Sequence, residues 1–148
     1  MEAQQDFKEL FELLNAHTVE YVIVGAHALA YHGSPRYTGD IDVLVRPDPE
    51  NSRRIMAALV DFGFGNVGLR EADFSESGKV TQLGYPPIRI DLMTSLTGVT
   101  WNEVFSNKST GTYGDVPVHY IGREQFILNK RLAGRKKDLA DLEALDEK

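Results

Sequence analysis

From residue 6 to residue 15 the apolar side chains Phe7, Leu10, Phe11 and Leu14 recur at helical spacing, so this segment is predicted as an amphipathic helix that buries that stripe. The period then changes. Tyr21–Val24 is a short β-branched run that reads as a strand. Gly25 ends it, and residues 26–32 (AHALAYH) have helix-forming composition, giving strand, tight turn and helix in succession. Residues 33–39 hold Pro35 and two glycines and read as a loop, after which residues 41–45 return to a strand pattern. Asp48 and Pro49 have the chemistry of an N-cap and a first helical residue. They open a helix that runs through Arg53, Ile55, Met56, Leu59 and Val60 and stops near Gly63.

The second half is less regular at first. Within residues 67–83 only 80–83 has a clear strand pattern, and Pro86 and Pro87 force a break before residues 88–93, where Ile88, Ile90 and Leu92 alternate with Arg89, Asp91 and Met93. A helical turn follows at 101–105. Residues 112–114 and 116–121 are predicted as a hairpin around Gly114 and Asp115. From Arg123 the chain reads as helix, broken at Gly134 and resumed in a second helix that ends in DLADLEAL. There is no internal repeat and no low-complexity linker, so a chain of 148 residues is expected to form one domain over 1–148, with the helices of 123–146 packed on it.

Composition narrows the chemistry more than the fold. The chain has no cysteine, which excludes disulfides, thiolate metal sites and a cysteine nucleophile. No apolar run has the length of a signal segment or a membrane span, so a soluble, cytoplasmic protein without membrane contact is expected. A net charge of −6 argues against broad binding of duplex DNA. Against that acidic background, Lys130, Arg131, Arg135, Lys136 and Lys137 form a local basic patch.

The acids are more informative. Residues two apart on a strand share a face, so Asp40 and Asp42 in GDIDVLV point together while Ile41, Val43 and Val45 face the core. Two like charges forced together call for protons or cations, and hard divalent ions with oxygen ligands are the usual solution. Asp91, in IRIDLM, sits on another short strand. If the two strands are adjacent, the three carboxylates form a cradle for two magnesium ions about 3.5–4 Å apart, with manganese as a substitute, and in-line displacement at phosphorus follows. Asp91 is also placed to help deprotonate an acceptor. An Asp-x-Asp at a strand start is equally the composition of a turn or a solvated edge. Upstream, Val24-Gly25-Ala26 turns a strand into a helix and presents backbone N–H groups to an anion such as a phosphate, and Gly25 allows close approach.

The segments VGAHALAYHG, RYTGDIDVLV, GYPPIRIDLM and NKRLAGRKKDLADLEAL, taken together, resemble the DNA polymerase beta superfamily of nucleotidyltransferases, and within it the small members related to AbiEii-type toxins. The resemblance spans residues 21–145. It implies an α/β (α+β) fold with a mixed sheet and helices packed on it. It makes Asp40, Asp42 and Asp91 the catalytic, metal-binding triad, and Gly25 and Ala26 the counterpart of the glycine-serine nucleotide-binding turn. Ala26 departs from that pattern, since it lacks the hydroxyl and keeps only its backbone N–H. Arg36 and Thr38 become candidates for phosphate or acceptor contacts, and Lys130 resembles the late lysine that neutralises the triphosphate, with Arg135 and Lys137 as helpers.

The function implied is magnesium-dependent transfer of an NMP group from ATP or another NTP to an RNA or protein hydroxyl, within a toxin–antitoxin pair. The alternative is a catalytically weak nucleotide-binding or antitoxin-like interaction module, which Ala26 favours. A metal-dependent nuclease or phosphohydrolase also uses paired aspartates, but the glycine turn and the late lysine favour transfer. The basic patch at 130–137 is the expected RNA contact. Asp138 and Asp141, at i and i+3, are read as local salt-bridge partners outside the site. His27 and His32 are about 500° apart on a helix, which does not stack them as a zinc pair. One is read as packed and the other as near the nucleotide loop. Trp101, Tyr85 and Tyr113 are read as core aromatics that also have the shape to stack on a base.

Overall fold

A computed structural model describes residues 4–34, 39–85 and 88–145. The first helix, α1 (Gln5–Ala16), buries Phe7, Leu10, Phe11 and Leu14 completely, as their spacing predicts. Each such side chain contributes about 1.5–3 kcal/mol by leaving water. Strand β1 (Tyr21–Val24) is buried at every residue, which requires cover on both faces of the sheet. It leads directly into helix α2 (Gly25–Tyr31). Strand β2 (Asp40–Val45) begins one residue before its predicted start and includes Asp40 itself.

Helix α3 (Pro49–Asp61) starts as its sequence dictates, with the Asp48 side chain accepting from the Asn51 N–H at 3.1 Å and Pro49 in the first turn. Asn51 is 2% exposed and its amide bonds to the backbone of Glu20 and Arg46, which ties the start of α3 to the ends of β1 and β2. A short helix α4 (Ala72–Ser75) buries Phe74 within the stretch that shows no sequence period. Four residues are too few to display one.

Strands β3 (Val80–Tyr85) and β4 (Ile88–Met93) form an antiparallel pair on either side of the proline break. Helix α5 (Trp101–Ser106) opens with a reciprocal cap between Thr100 and Glu103. Strands β5 (Ser109–Tyr113) and β6 (Val116–Tyr120) make the expected hairpin, with a first strand longer than its sequence pattern shows. Helix α6 (Arg123–Ala133) ends on Gly134, whose φ of 65° permits the left-handed turn into α7 (Lys136–Ala144).

The strands form one six-stranded mixed sheet in the order β3-β4-β2-β1-β6-β5. β1 runs antiparallel to β2 and parallel to β6, and β2 runs parallel to β4. The central strands therefore belong to β1 and β2, the two that flank the glycine turn and the paired aspartates. Among the described residues no helix is long and apolar enough to cross a membrane.

Candidate active site

Two registers bring the acidic motifs together. In the β1–β2 pair Val24 faces Asp42, so the glycine turn that follows Val24 lies against the Asp42 carboxylate. In the parallel β2–β4 pair Asp42 faces Asp91 and Asp40 faces Arg89. Gly25, at φ 70°, is held so close that a Cβ there would overlap Asp42 Oδ2. Glycine is required at this point for both its dihedral and its lack of a side chain.

Asp42 and Asp91 stand within hydrogen-bonding reach of each other. Burial, with the Asp91 charge and that hydrogen bond adding to it, pushes the Asp42 carboxyl up to about 6, while Lys137 pulls the other way. Asp91 is 7% exposed and is clasped by Arg89 in two-point fashion, Nε to Oδ1 at 3.0 Å and Nη2 to Oδ2 at 3.1 Å. The same Nη2 reaches Asp40 Oδ2 at 3.3 Å. Arg89 thus partly neutralises the carboxylates and fixes their orientation. The sequence places Asp91 to help deprotonate an acceptor. In the structure both of its oxygens are engaged by a guanidinium, and Asp42 is the carboxylate whose affinity for a proton is raised.

Behind the aspartates, His27 is 5% exposed, packed edge-on to Phe7 and close to Tyr113. Desolvation lowers it to about 4, although a hydrogen bond to the Asp40 backbone opposes that shift, so the ring is neutral. His32 is bonded through Nε2 to the Ile121 carbonyl at 2.7 Å. Neither histidine faces the acidic cluster as a ligand. Trp101 stacks on Phe105 and Tyr113 is buried between Phe11 and His27, which makes both packing residues; the Tyr85 side chain, like Arg36 and Thr38, lies outside the described residues.

A cavity of about 580 Å3 opens at this point. Gly25, Ala26, Asp40 and Asp42 line it, together with Lys130, Lys137 and Asp141 from α6 and α7 and Arg135 from the turn between them. Val80, Met93, Leu96 and Leu132 supply an apolar wall. The topology therefore gathers Gly25, Ala26, Asp40, Asp42 and Lys130 around one space, with Asp91 next to Asp42 and bonded to Arg89.

Asp138 and Asp141 require a correction. They are 0% and 2% exposed, and they face Lys130 rather than solvent, with Lys130 Nζ 3.3 Å from Asp138 Oδ1 and 3.3 Å from Asp141 Oδ2. The local i,i+3 bridge from Arg135 to Asp138 exists, at 2.7 Å, but it is one arm of a buried cluster that borders the cavity. Lys130 itself is buried and paired. The signal in the sequence was the stripe Asp138, Asp141, Leu142, Leu145, an i, i+3, i+4, i+7 face with carboxylates in two apolar places.

The donor chemistry fits a hard divalent cation: oxygen ligands, two of them, the half-buried Asp42 and the buried Asp91, set side by side with mutually unfavourable charge. Among the described residues no three acidic, histidine or cysteine groups already stand as a ligand set. Arg89 holds Asp40 and Asp91 in their present positions.

No protein-family model matches the chain, and no curated protein matches it. Solved structures do. A protein from Thermotoga maritima assigned as a nucleotidyltransferase superimposes with a TM-score of 0.58 at 17% identity, covering 93% of this chain and 88% of that one. The lincosamide antibiotic adenylyltransferase LnuA, solved with lincomycin bound, gives 0.59 at 13% identity over 98% of this chain and 97% of its own. An antigenic nucleotidyltransferase-like protein from Paracoccidioides brasiliensis gives 0.61 at 16% identity, over 98% and 76% respectively. At these identities the likeness is one of architecture, and the six-stranded mixed sheet with its packed helices is the fold of these nucleotidyltransferases.

Proposed function

We propose that the protein transfers an NMP group from a nucleoside triphosphate to an acceptor hydroxyl, with Asp40, Asp42 and Asp91 holding divalent metal. The observation that carries this reading is the β2–β4 register, which sets Asp42 beside Asp91, together with the glycine turn seated against Asp42. Magnesium, when bound, would polarise the acceptor hydroxyl and offset charge on the triphosphate. The chain supplies the rest. Asp40 and Asp42 hold the acidic side of the cavity with Asp91 beside Asp42, Gly25 and Ala26 offer backbone N–H groups, and Lys130, Arg135 and Lys137 supply positive charge. The acceptor oxygen forms its bond to the α-phosphorus as the bond from that phosphorus to the bridging oxygen breaks. Pyrophosphate leaves, and the hydroxyl proton passes to a carboxylate of the β2–β4 pair.

For the acceptor, RNA or protein is the reading carried from the sequence, and a toxin–antitoxin setting goes with it. An adjacent small helical toxin gene would favour an antitoxin role, and an adjacent repressor gene a toxin role. The apolar wall of Val80, Met93, Leu96 and Leu132 adds small hydroxyl compounds to the acceptors to be screened, the class to which the lincomycin of the LnuA structure belongs. A nucleotide-binding module with negligible turnover is favoured by one feature, the missing hydroxyl at Ala26.

Calorimetric titration with each nonhydrolysable NTP, with and without magnesium, separates these readings. Magnesium-dependent binding that is lost in an Asp40→Asn, Asp42→Asn double variant supports the transferase site. Binding that is indifferent to both magnesium and the double substitution favours the module, and no binding of any NTP sinks the nucleotide reading.

A further inference from the structure

A carboxylate with no exposed surface is costly to bury, and an apolar side chain in the same place would serve packing better. Asp138 is such a group. Its Oδ2 accepts from the Arg135 backbone N–H at 3.1 Å and from Arg135 Nε at 2.7 Å, and its Oδ1 accepts from Arg135 Nη2 at 3.2 Å and from Lys130 Nζ at 3.3 Å. One carboxylate thus joins a cation from α6 to a cation at the start of α7, across the left-handed turn at Gly134. Both cations line the cavity that holds Asp40 and Asp42.

Long basic side chains left to themselves turn their charged ends to water. Lys130 does the opposite: its side chain is 8% exposed and its ammonium lies 5.3 Å from the centre of the Phe126 ring. Arg135 is largely exposed, yet its planar fork is turned back along α7 by two-point contact with Asp138. We propose that Asp138 is a positioning residue: it fixes Lys130 and Arg135 as an oriented pair facing the cavity, and that orientation sets the affinity for the triphosphate group. The proposal rests on the nucleotide-transfer reading above. Burial works against the charged form of Asp138, but the bonds from Arg135 and the nearby Lys130 outweigh it and hold the carboxyl down at about 2, so the pairing persists at any ordinary pH.

The test is calorimetric, on the full chain with magnesium, using a nonhydrolysable NTP, inorganic tripolyphosphate and the corresponding NMP. Asp138→Asn is expected to weaken both triphosphates by about tenfold or more, the scale of one lost charge-assisted hydrogen bond, while NMP affinity stays within about twofold. A folded Asp138→Asn protein that binds all three probes as the unsubstituted chain does, or loses all three equally, overturns the proposal. Should Asp138→Asn not fold, Arg135→Lys and Arg135→Gln decide. If orientation matters, Arg135→Lys loses nearly as much triphosphate affinity as Arg135→Gln; if it binds like the unsubstituted chain, charge alone suffices and Asp138 positions nothing. An unsubstituted chain that binds neither triphosphate removes the nucleotide reading itself, whereas normal binding with unaffected variants removes only the role of Asp138.

Discussion

Among the described residues, carboxylates are drawn out of solvent in two places, with opposite electrostatics. On the sheet, Asp42 and Asp91 are set side by side by strand register, and the Asp42 carboxyl is pushed up to about 6 by burial and by its neighbour. At the α6–α7 elbow, Asp138 and Asp141 meet Lys130 and Arg135, and the Asp138 carboxyl sits down at about 2 despite its burial. At the elbow each carboxylate already has a cation against it, and Arg135 keeps an exposed side chain at the cavity. The sheet pair is only partly compensated by Arg89, and its remaining charge is what an incoming cation would answer. A buried acid next to a cavity can therefore be part of a holder or part of a scaffold, and the partner of each oxygen distinguishes the two.

If that contrast is right, removing a charge should have opposite consequences in the two places. Lys130→Met withdraws the ammonium from two buried carboxylates and is expected to destabilise the fold by about 3–5 kcal/mol, measured by urea denaturation. A loss below about 1 kcal/mol would mean that the elbow does not depend on its internal pairing. Asp42→Asn relieves a like-charge contact instead. Transfer should fall by about a hundred- to a thousandfold, equivalent to about 2.7–4 kcal/mol of lost transition-state stabilisation, with a thermal midpoint in metal-free buffer equal to or above that of the unsubstituted chain. A lowered midpoint would show that the sheet carboxylates are structural like those of the elbow.

The third prediction concerns the support behind the sheet pair. His27 is held neutral by desolvation at about 4 against 6.5 in an unfolded chain. Between those values the unfolded state binds a proton that the folded state refuses, so stability falls as the pH drops from about 6.5 to about 4, by at most about 3.5 kcal/mol. Asp42 contributes with the opposite sign as its carboxyl takes up a proton below about 6, so the total curve partly cancels. His27→Phe isolates the effect. Its stability relative to the unsubstituted chain should rise steadily as the pH falls through that window in urea titrations, and a difference that does not vary with pH would sink the assignment.

Much of the sheet site was legible because its signals are local. Asp40 and Asp42 share a face by the two-residue period, Gly25 stands at a strand end, and the apolar stripes of α1 and α3 fix which surfaces are covered. What was not legible depends on register and on tertiary burial. Arg89 lies two residues from Asp91 on the same strand face, but its reach to Asp40 follows only once β2 and β4 are paired. Asp138 and Asp141 satisfy the i,i+3 rule for an exposed helix; Leu142 and Leu145 on the same face hint that it points inward, and the position of Lys130 on α6 shows it. Helix α4 is too short for its period to register, and Arg36 and Thr38 lie outside the described residues.

The inward face of α7 also bears on the order in which the chain acquires its structure. Leu139 is 53% exposed, while Asp138 and Asp141 occupy inner positions that an ordinary amphipathic helix would give to apolar residues. Docking α7 thus combines the burial of Leu142 and Leu145 with the pairing of both carboxylates to Lys130 on α6. If ion pairing holds the last helix closed, the elbow is expected to open ahead of β1 and β2, and earlier hydrogen exchange of its amides would test that order.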